Sequence, residues 1–158
     1  MTTFTPGDPD VRVAVREAAL RYWSTFGWPV RATESEVLLS LRPDMVAVAV
    51  PADLARQLLE TLEATGAGGA VLALPGSAAP QWIFLTTRPN HWRVRPNRQL
   101  AVLSEGFDLL LPGGLGLNDS VAWVREPLSA DAALFDGDLV LGSLAALTST
   151  SSPAQAAA

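Results

Sequence analysis

The chain has 158 residues, of which 49% are hydrophobic and 17% charged. It is therefore long enough for one domain with a buried core, and too apolar for a disordered chain. The net charge is -5, all eleven basic residues are arginine, and there is no cysteine and one histidine. These counts exclude lysine-dependent chemistry, disulfides and multi-histidine metal sites, and they disfavour broad electrostatic attachment to nucleic acid.

The sequence gives no sign of a membrane segment or of secretion. No apolar run approaches the roughly 18 residues that a membrane span needs. The first ten residues, "MTTFTPGDPD", contain neither a basic stretch nor the apolar stretch of a signal peptide. We therefore expect a cytoplasmic protein that does not associate with membranes.

The first half of the chain predicts helix, three strands and helix. Residues 9–26 form an amphipathic helix that begins after Asp8 and ends at Gly27. Its apolar stripe is Val11, Val15, Ala18, Tyr22 and Phe26. Two short strands, "WPVRA" and "EVLLSL", flank the turn "TES", and "MVAVAV" at 45–50 is a buried strand. A second helix covers about residues 52–65 and ends at Gly66.

The second half predicts mostly strands and one last helix. The strands are "GGAVLAL", "QWIFLTT", "QLAVLS", "FDLLLP" and "VAWV". The strands "QLAVLS" and "FDLLLP" are joined around Glu105 and Gly106. Residues 135–147 form the last helix, in which the carboxylates of "FDGD" act as caps in preference to a Mg²⁺ site.

Together these elements predict an α+β fold with a mostly antiparallel sheet, flanked by helices that lie on one side of it. We expect an N-terminal arm at 1–8, a single domain at 9–147 and a disordered tail at 148–158. Four tryptophans in apolar segments are predicted to be core residues: Trp23, Trp28, Trp82 and Trp123.

The segment "TTRPNHWRVRPNRQ", residues 86–99, is the strongest candidate for binding. It contains no acid, and its candidate contacts are Arg88, His91, Trp92, Arg93, Arg95 and Arg98. Such a basic strip is able to bind phosphate groups, and an aromatic ring within it is able to stack on a base. The alternative is a solvated loop whose arginines pair with surplus acids of the protein, which is the interpretation we favour.

Several segments taken in order resemble the primase-polymerase domains of the archaeo-eukaryotic primase superfamily, across roughly residues 14–147. The segments are "ALRYWSTFGWPV", "DMVAVAVPADLARQLLETL", "QWIFLTTRP", "LAVLSEGFDLLLPGG" and "VAWVREP". The resemblance is strongest to the small actinobacterial proteins described as bifunctional DNA primase/polymerase. It implies a primase-polymerase-like fold and a connection with DNA replication.

Active members of that family hold catalytic metal with acids on two strands and contact the nucleotide with a histidine. Carried onto this chain, the paired acids would fall within 46–49, where only valine and alanine stand, after the remnant candidate Asp44. At the position of the histidine motif this chain has Gln81 and Trp82, and at the position of the third acid it has the apolar residues 100–102. All three motifs are lost, and two-metal phosphoryl transfer needs several converging carboxylates.

These losses predict a non-catalytic domain that binds a nucleotide, a nucleic acid or a protein, with no cofactor. A protein-protein interaction module is the alternative, and the apolar run "LLLPGGLGL" is either its exposed surface or a buried strand. A protein partner is expected, and a homodimer is compatible with the sequence. The third hypothesis is an active Mg²⁺-dependent enzyme that uses the shifted acids Asp44, Glu105 and Asp108.

Overall fold

A computed structural model describes residues 9–74, 80–91, 100–113 and 121–150 of the chain. Within these ranges it contains three helices and eight strands, and the strands pair only in antiparallel fashion. The helices are α1 (Pro9–Phe26), α2 (Ala52–Ala64) and α3 (Gly137–Thr150). The strands are β1 (Val30–Ala32), β2 (Val37–Ser40), β3 (Met45–Pro51), β4 (Val71–Leu74), β5 (Gln81–Thr87), β6 (Ala101–Leu103), β7 (Asp108–Leu111) and β8 (Ala122–Arg125). The predicted α+β class is confirmed.

A glycine with a positive φ ends each of the first two helices. Gly27 comes directly after α1, and Gly66 follows Thr65, the residue that caps the end of α2. The two glycines adopt φ values of 68° and 79°. Residues with a side chain rarely adopt this left-handed conformation, so a glycine there ends a helix at little cost. Both predicted helix ends agree with the structure.

The last helix is longer than predicted. α3 begins at Gly137, two residues after the predicted start at 135, and continues to Thr150, three residues beyond the predicted end at 147. The predicted disordered tail at 148–158 therefore starts inside the helix, and the rest of that tail, 151–158, lies outside the described residues. The predicted arm at 1–8 also lies outside them.

The strands form two sheets where the sequence predicted one. The larger sheet has the order β6-β3-β5-β4-β8, and the smaller has the order β1-β2-β7. The turn at Glu105 and Gly106 does not close a hairpin, because β6 pairs with β3 while β7 pairs with β2. The chain therefore crosses from one sheet to the other at this turn.

Both faces of the five-stranded sheet are covered. Along β3, the residues Met45, Ala47 and Ala49 belong to a core shared with α1 and the three-stranded sheet. The alternating residues Val46, Val48 and Val50 belong to a second core shared with α2 and α3. The prediction that helices lie on one side of the sheet is wrong, because α1 packs on the face opposite to α2 and α3.

Within the described ranges, no helix combines the length and the apolar character needed to cross a bilayer.

Candidate functional site

The basic strip begins where β5 ends, and the structure describes its first part. Arg88 and His91 are described, and both are exposed. The other four candidate residues, Trp92, Arg93, Arg95 and Arg98, lie outside the described residues. The structure therefore places the start of the strip but leaves its binding role a prediction.

Arg88 lies against the loop before β3. Its backbone N–H donates to the carbonyl of Asp44 at 3.0 Å, and its guanidinium lies 3.5 Å from the carbonyl oxygen of Pro43. The carboxylate of Asp44 is exposed and lies 3.2 Å from Nε of Arg42. The structure thus brings two of the predicted residues, Asp44 and Arg88, together at one end of the β3-β5 pair. Asp44 forms its ion pair with Arg42 and lies just before the buried residues of β3.

Asp138, in the first turn of α3, holds the next residues of the strip. Its Oδ1 accepts the backbone N–H groups of Asn90 and His91 at 2.9 and 3.0 Å, and its Oδ2 accepts Nδ2 of Asn90 at 3.0 Å. The backbone hydrogen bonds from His91 and Asn90 lower the pKa of Asp138 below its ordinary value. The described start of the strip, Asn90 and His91, is therefore held by a carboxylate that carries a negative charge.

The two acids of "FDGD", Asp136 and Asp138, have different roles. Oδ1 of Asp136 accepts the backbone N–H groups of Asp138 and Leu139 at 2.9 and 3.3 Å, which caps the start of α3. The predicted capping role is confirmed for Asp136. The role of Asp138 in holding residues 90 and 91 was missed, since nothing in the sequence brings positions 47 residues apart together.

A groove of about 610 Å³ lies beside this point, between α2 and α3. Its lining is Thr61, Asp138, Leu139, Gly142, Ser143, Ala146 and Leu147. The described lining contributes one carboxylate, two hydroxyls and no cation. Such a lining does not favour a phosphate group, because it offers the phosphate a negative charge.

The three segments that the resemblance connects with catalysis are adjacent strands. Ala49 of β3 pairs with Ala101 of β6 on one side and with Ile83 of β5 on the other, and Val50 pairs with Trp82. Six successive residues of β3, from 45 to 50, are buried. The positions that would carry the paired acids are thus filled with apolar side chains on both faces.

The shifted acids of the third hypothesis do not form a metal site. Asp108 lies on β7 in the other sheet, where it pairs with Arg31 and accepts a hydrogen bond from Ser40. Asp44 is paired with Arg42, and Glu105 is exposed in the turn between β6 and β7. Among the residues that the structure describes, no three His, Cys, Asp or Glu side chains are grouped as metal ligands would be.

One surface that sequence reasoning missed lies on α1. Trp23 is 61% exposed, so the prediction that it is a core residue is wrong. Trp28 is buried as predicted, and Trp82 and Trp123 are partly buried. Trp23 lies one position after Tyr22, which faces the core, and one position turns a helix by about 100°. The spacing of the buried residues of α1 therefore already predicts that Trp23 points away from the core.

Trp23 belongs to an apolar surface that we call the α1 stripe: Val13, Leu20 and Trp23. Val13 is 53% and Leu20 61% exposed. By contrast, the run "LLLPGGLGL" does not provide the exposed surface considered above, as far as it is described. Leu109 and Leu111 are buried in β7 and Leu110 is partly buried, while residues 114–117 lie outside the described ranges.

No protein-family model matches this chain, and neither a curated protein nor a solved structure matches it. The function is therefore inferred from the residues and their geometry.

Proposed function

We propose that this chain is a non-catalytic primase-polymerase-like domain that acts as a binding protein, with another protein chain as its partner. One observation carries the proposal: β3, where the family's paired acids would lie, is buried from 45 to 50 and contains only Met, Val and Ala. A carboxylate at any of these positions would be buried without a cation beside it, at a cost of several kcal/mol.

The strand order supports the family part of the proposal. The segments in which the family would carry its catalytic residues are β6, β3 and β5, which are three neighbouring strands. The arrangement agrees with a polymerase-like sheet in which the catalytic side chains have been replaced by core residues.

A protein partner is favoured over a nucleotide by the surfaces described. The α1 stripe offers three large apolar side chains to solvent on one side of a helix, and exposed apolar groups of this kind favour binding to a protein. The start of the basic strip is less suited to a nucleotide. Its described cation, Arg88, lies beside the carbonyl of Pro43, and Asp138 places a negative charge at Asn90 and His91.

A thermal-shift titration with nucleoside triphosphates and Mg²⁺ tests the choice of partner. We expect no change in the melting temperature of the full chain at millimolar nucleotide, because β3 carries no acid to hold Mg²⁺ and the described lining of the groove between α2 and α3 contains no cation. A nucleotide-dependent increase that Asp44→Ala abolishes would contradict the proposal. Asp53→Ala is the control, since Asp53 is likewise an exposed acid that forms an ion pair with an arginine close in sequence, Arg56.

The basic strip is the second candidate for binding. One observation favours it: Asp138 fixes the backbone at Asn90 and His91, so the strip starts from a defined position. If it binds an anionic group on a partner, replacing Arg93 and Arg95 together with Ala weakens that binding. Unchanged binding of a short anionic oligonucleotide by this double variant would assign the strip to the solvated surface.

A further inference from the structure

The α1 stripe has a single direction on the helix. Val13 and Leu20 are seven residues apart, so they point within about 20° of each other. Trp23 follows three residues after Leu20 and lies about 60° to one side of it. The residues that point the opposite way, Val11 and Val15, are buried in the core. The stripe is thus the centre of the solvent-facing side of α1.

Two opposite charges flank this stripe on its two edges. Arg16 lies about 60° from Val13 on the side of Trp23, and Glu17 lies about 40° from Val13 on the other side. Both side chains belong to exposed residues. Arg12 of α1 forms an ion pair with Glu34. Arg21, four residues after Glu17, is also exposed and lies about 80° from Val13 on the side of Glu17.

We propose that two copies of this chain associate through α1, with the two helices side by side and parallel. A two-fold axis along the helices brings Val13 and Leu20 against the same residues of the second copy. It also sets Arg16 of each copy beside Glu17 of the other, once on each edge. This inference rests on the proposed function, since it names the partner of the same binding protein.

The charges decide both the direction and the partner. In an antiparallel pair, a two-fold axis perpendicular to the helices places Arg16 of both copies on one edge, while Glu17 and the exposed Arg21 of both copies share the other edge. In the parallel pair every edge combines opposite charges. A second copy of the chain therefore supplies an acid beside Arg16, which the antiparallel pair does not.

The contact is short, so the association is expected to be weak. From Val13 to Trp23 the stripe is about 15 Å long, and it contributes three large apolar side chains from each copy. Stable interfaces use roughly 20–30 residues on each side. We therefore expect a dissociation constant on the order of tens of micromolar.

Sedimentation equilibrium of the full chain over roughly 5 to 500 µM tests the inference, because this range brackets the expected constant. We expect the mass to rise with concentration from the 16.7 kDa of one chain towards twice that value. Trp23→Ser should leave a monomer throughout. Leu128→Ser is the matched control, since Leu128 is 77% exposed and lies outside α1, and it should leave the association unchanged.

Charge reversal tests the parallel direction. Arg16→Glu and Glu17→Arg should each be monomeric, because each sets like charges along both edges. An equimolar mixture of the two variants should restore the dimer, since the one supplies two acids and the other two arginines. A wild-type monomer at every concentration would overturn the inference, as would a dimer that Trp23→Ser leaves intact, or a mixture that stays monomeric.

The failure of this inference is distinguishable from the failure of the proposed function. If the chain stays monomeric and extends no primer, the dimer inference fails while the proposed non-catalytic function stands. Primer extension by the wild-type chain would contradict the proposed function whatever its mass.

Discussion

Asp138 shows how a single side chain determines where a binding segment starts. Its carboxylate accepts three N–H donors from Asn90 and His91 and lies in the first turn of α3. The positive end of the helix dipole favours a negative charge at this position. Both interactions stabilise the charged form of Asp138, which agrees with its lowered pKa.

This lowered pKa predicts a pH-dependent contribution to stability. Because the pKa is lower in the folded chain than in the unfolded one, the contribution is present above the ordinary value of 3.8. It is lost as the pH falls through the folded-state pKa. Asp138→Asn should lower the urea midpoint at pH 7, and the difference from wild type should shrink below about pH 4.

The control for this experiment is Asp131→Asn, which removes an exposed carboxylate from the turn before α3. It should leave the urea midpoint close to that of wild type at pH 7. An effect of Asp138→Asn that persists unchanged at pH 3 would show that the carboxylate charge does not supply the stabilisation.

Two glycines of α3 predict opposite effects of the same substitution. A Cβ on Gly137 would clash with the carbonyl oxygen of Thr87 and come within 2.9 Å of the nitrogen of Pro89, and both are backbone atoms. Gly137→Ala should therefore lower the free energy of unfolding by about 1–3 kcal/mol. A Cβ on Gly142 meets nothing within 4 Å, so Gly142→Ala should raise it by about 0.5–1 kcal/mol.

Urea denaturation of the two variants, measured side by side, checks this prediction. If Gly137→Ala is as stable as wild type, the close approach between the end of β5 and the start of α3 is not as described. Gly142 serves as the internal control, because it tests the same substitution within the same helix without the contact.

At the scale of elements, β3 is the most constrained part of the chain. Val48 is 1% exposed and lies between Phe84 of β5 and Val102 of β6. A β-branched run of this kind predicts a strand, and its lack of alternation between apolar and polar residues predicts burial on both faces. The structure agrees with both predictions.

Introducing an acid into β3 should therefore prevent folding without creating activity. Val48→Asp buries an unpaired carboxylate at a cost of several kcal/mol, which approaches the total stability of an ordinary domain. Val48→Ala, the size control, should cost about 1.5–3 kcal/mol and remain folded. Circular dichroism and urea denaturation distinguish the two. A soluble, cooperatively folded Val48→Asp variant would contradict the two-sided burial of β3.

The sequence also shows which features of the elements can be predicted and which cannot. Helix ends at Gly27 and Gly66 depend on local conformation and were predicted. Strand partners depend on residues far apart in the chain, so the separation of β6 and β7 into two sheets was not predicted. The same reason explains why the contact of Asp138 with His91 was missed, although capping by its neighbour Asp136 was expected.

At the scale of the whole molecule, the five-stranded sheet lies between two cores. One core contains α1 and the three-stranded sheet, and the other contains α2 and α3. The α+β class was predictable from the order of the elements, but the side of the sheet on which α1 lies was not. The surface left on α1 after this packing carries the α1 stripe.

The central claim is that this domain binds and does not catalyse. A primer-extension assay with the full wild-type chain, with Mg²⁺ and then with Mn²⁺, tests it most directly, beside an active polymerase as the positive control. We predict no extension above the protein-free background, because the described acids do not converge and β3 carries none. Template-dependent extension by the wild-type chain that is lost in Asp44→Ala would contradict the account.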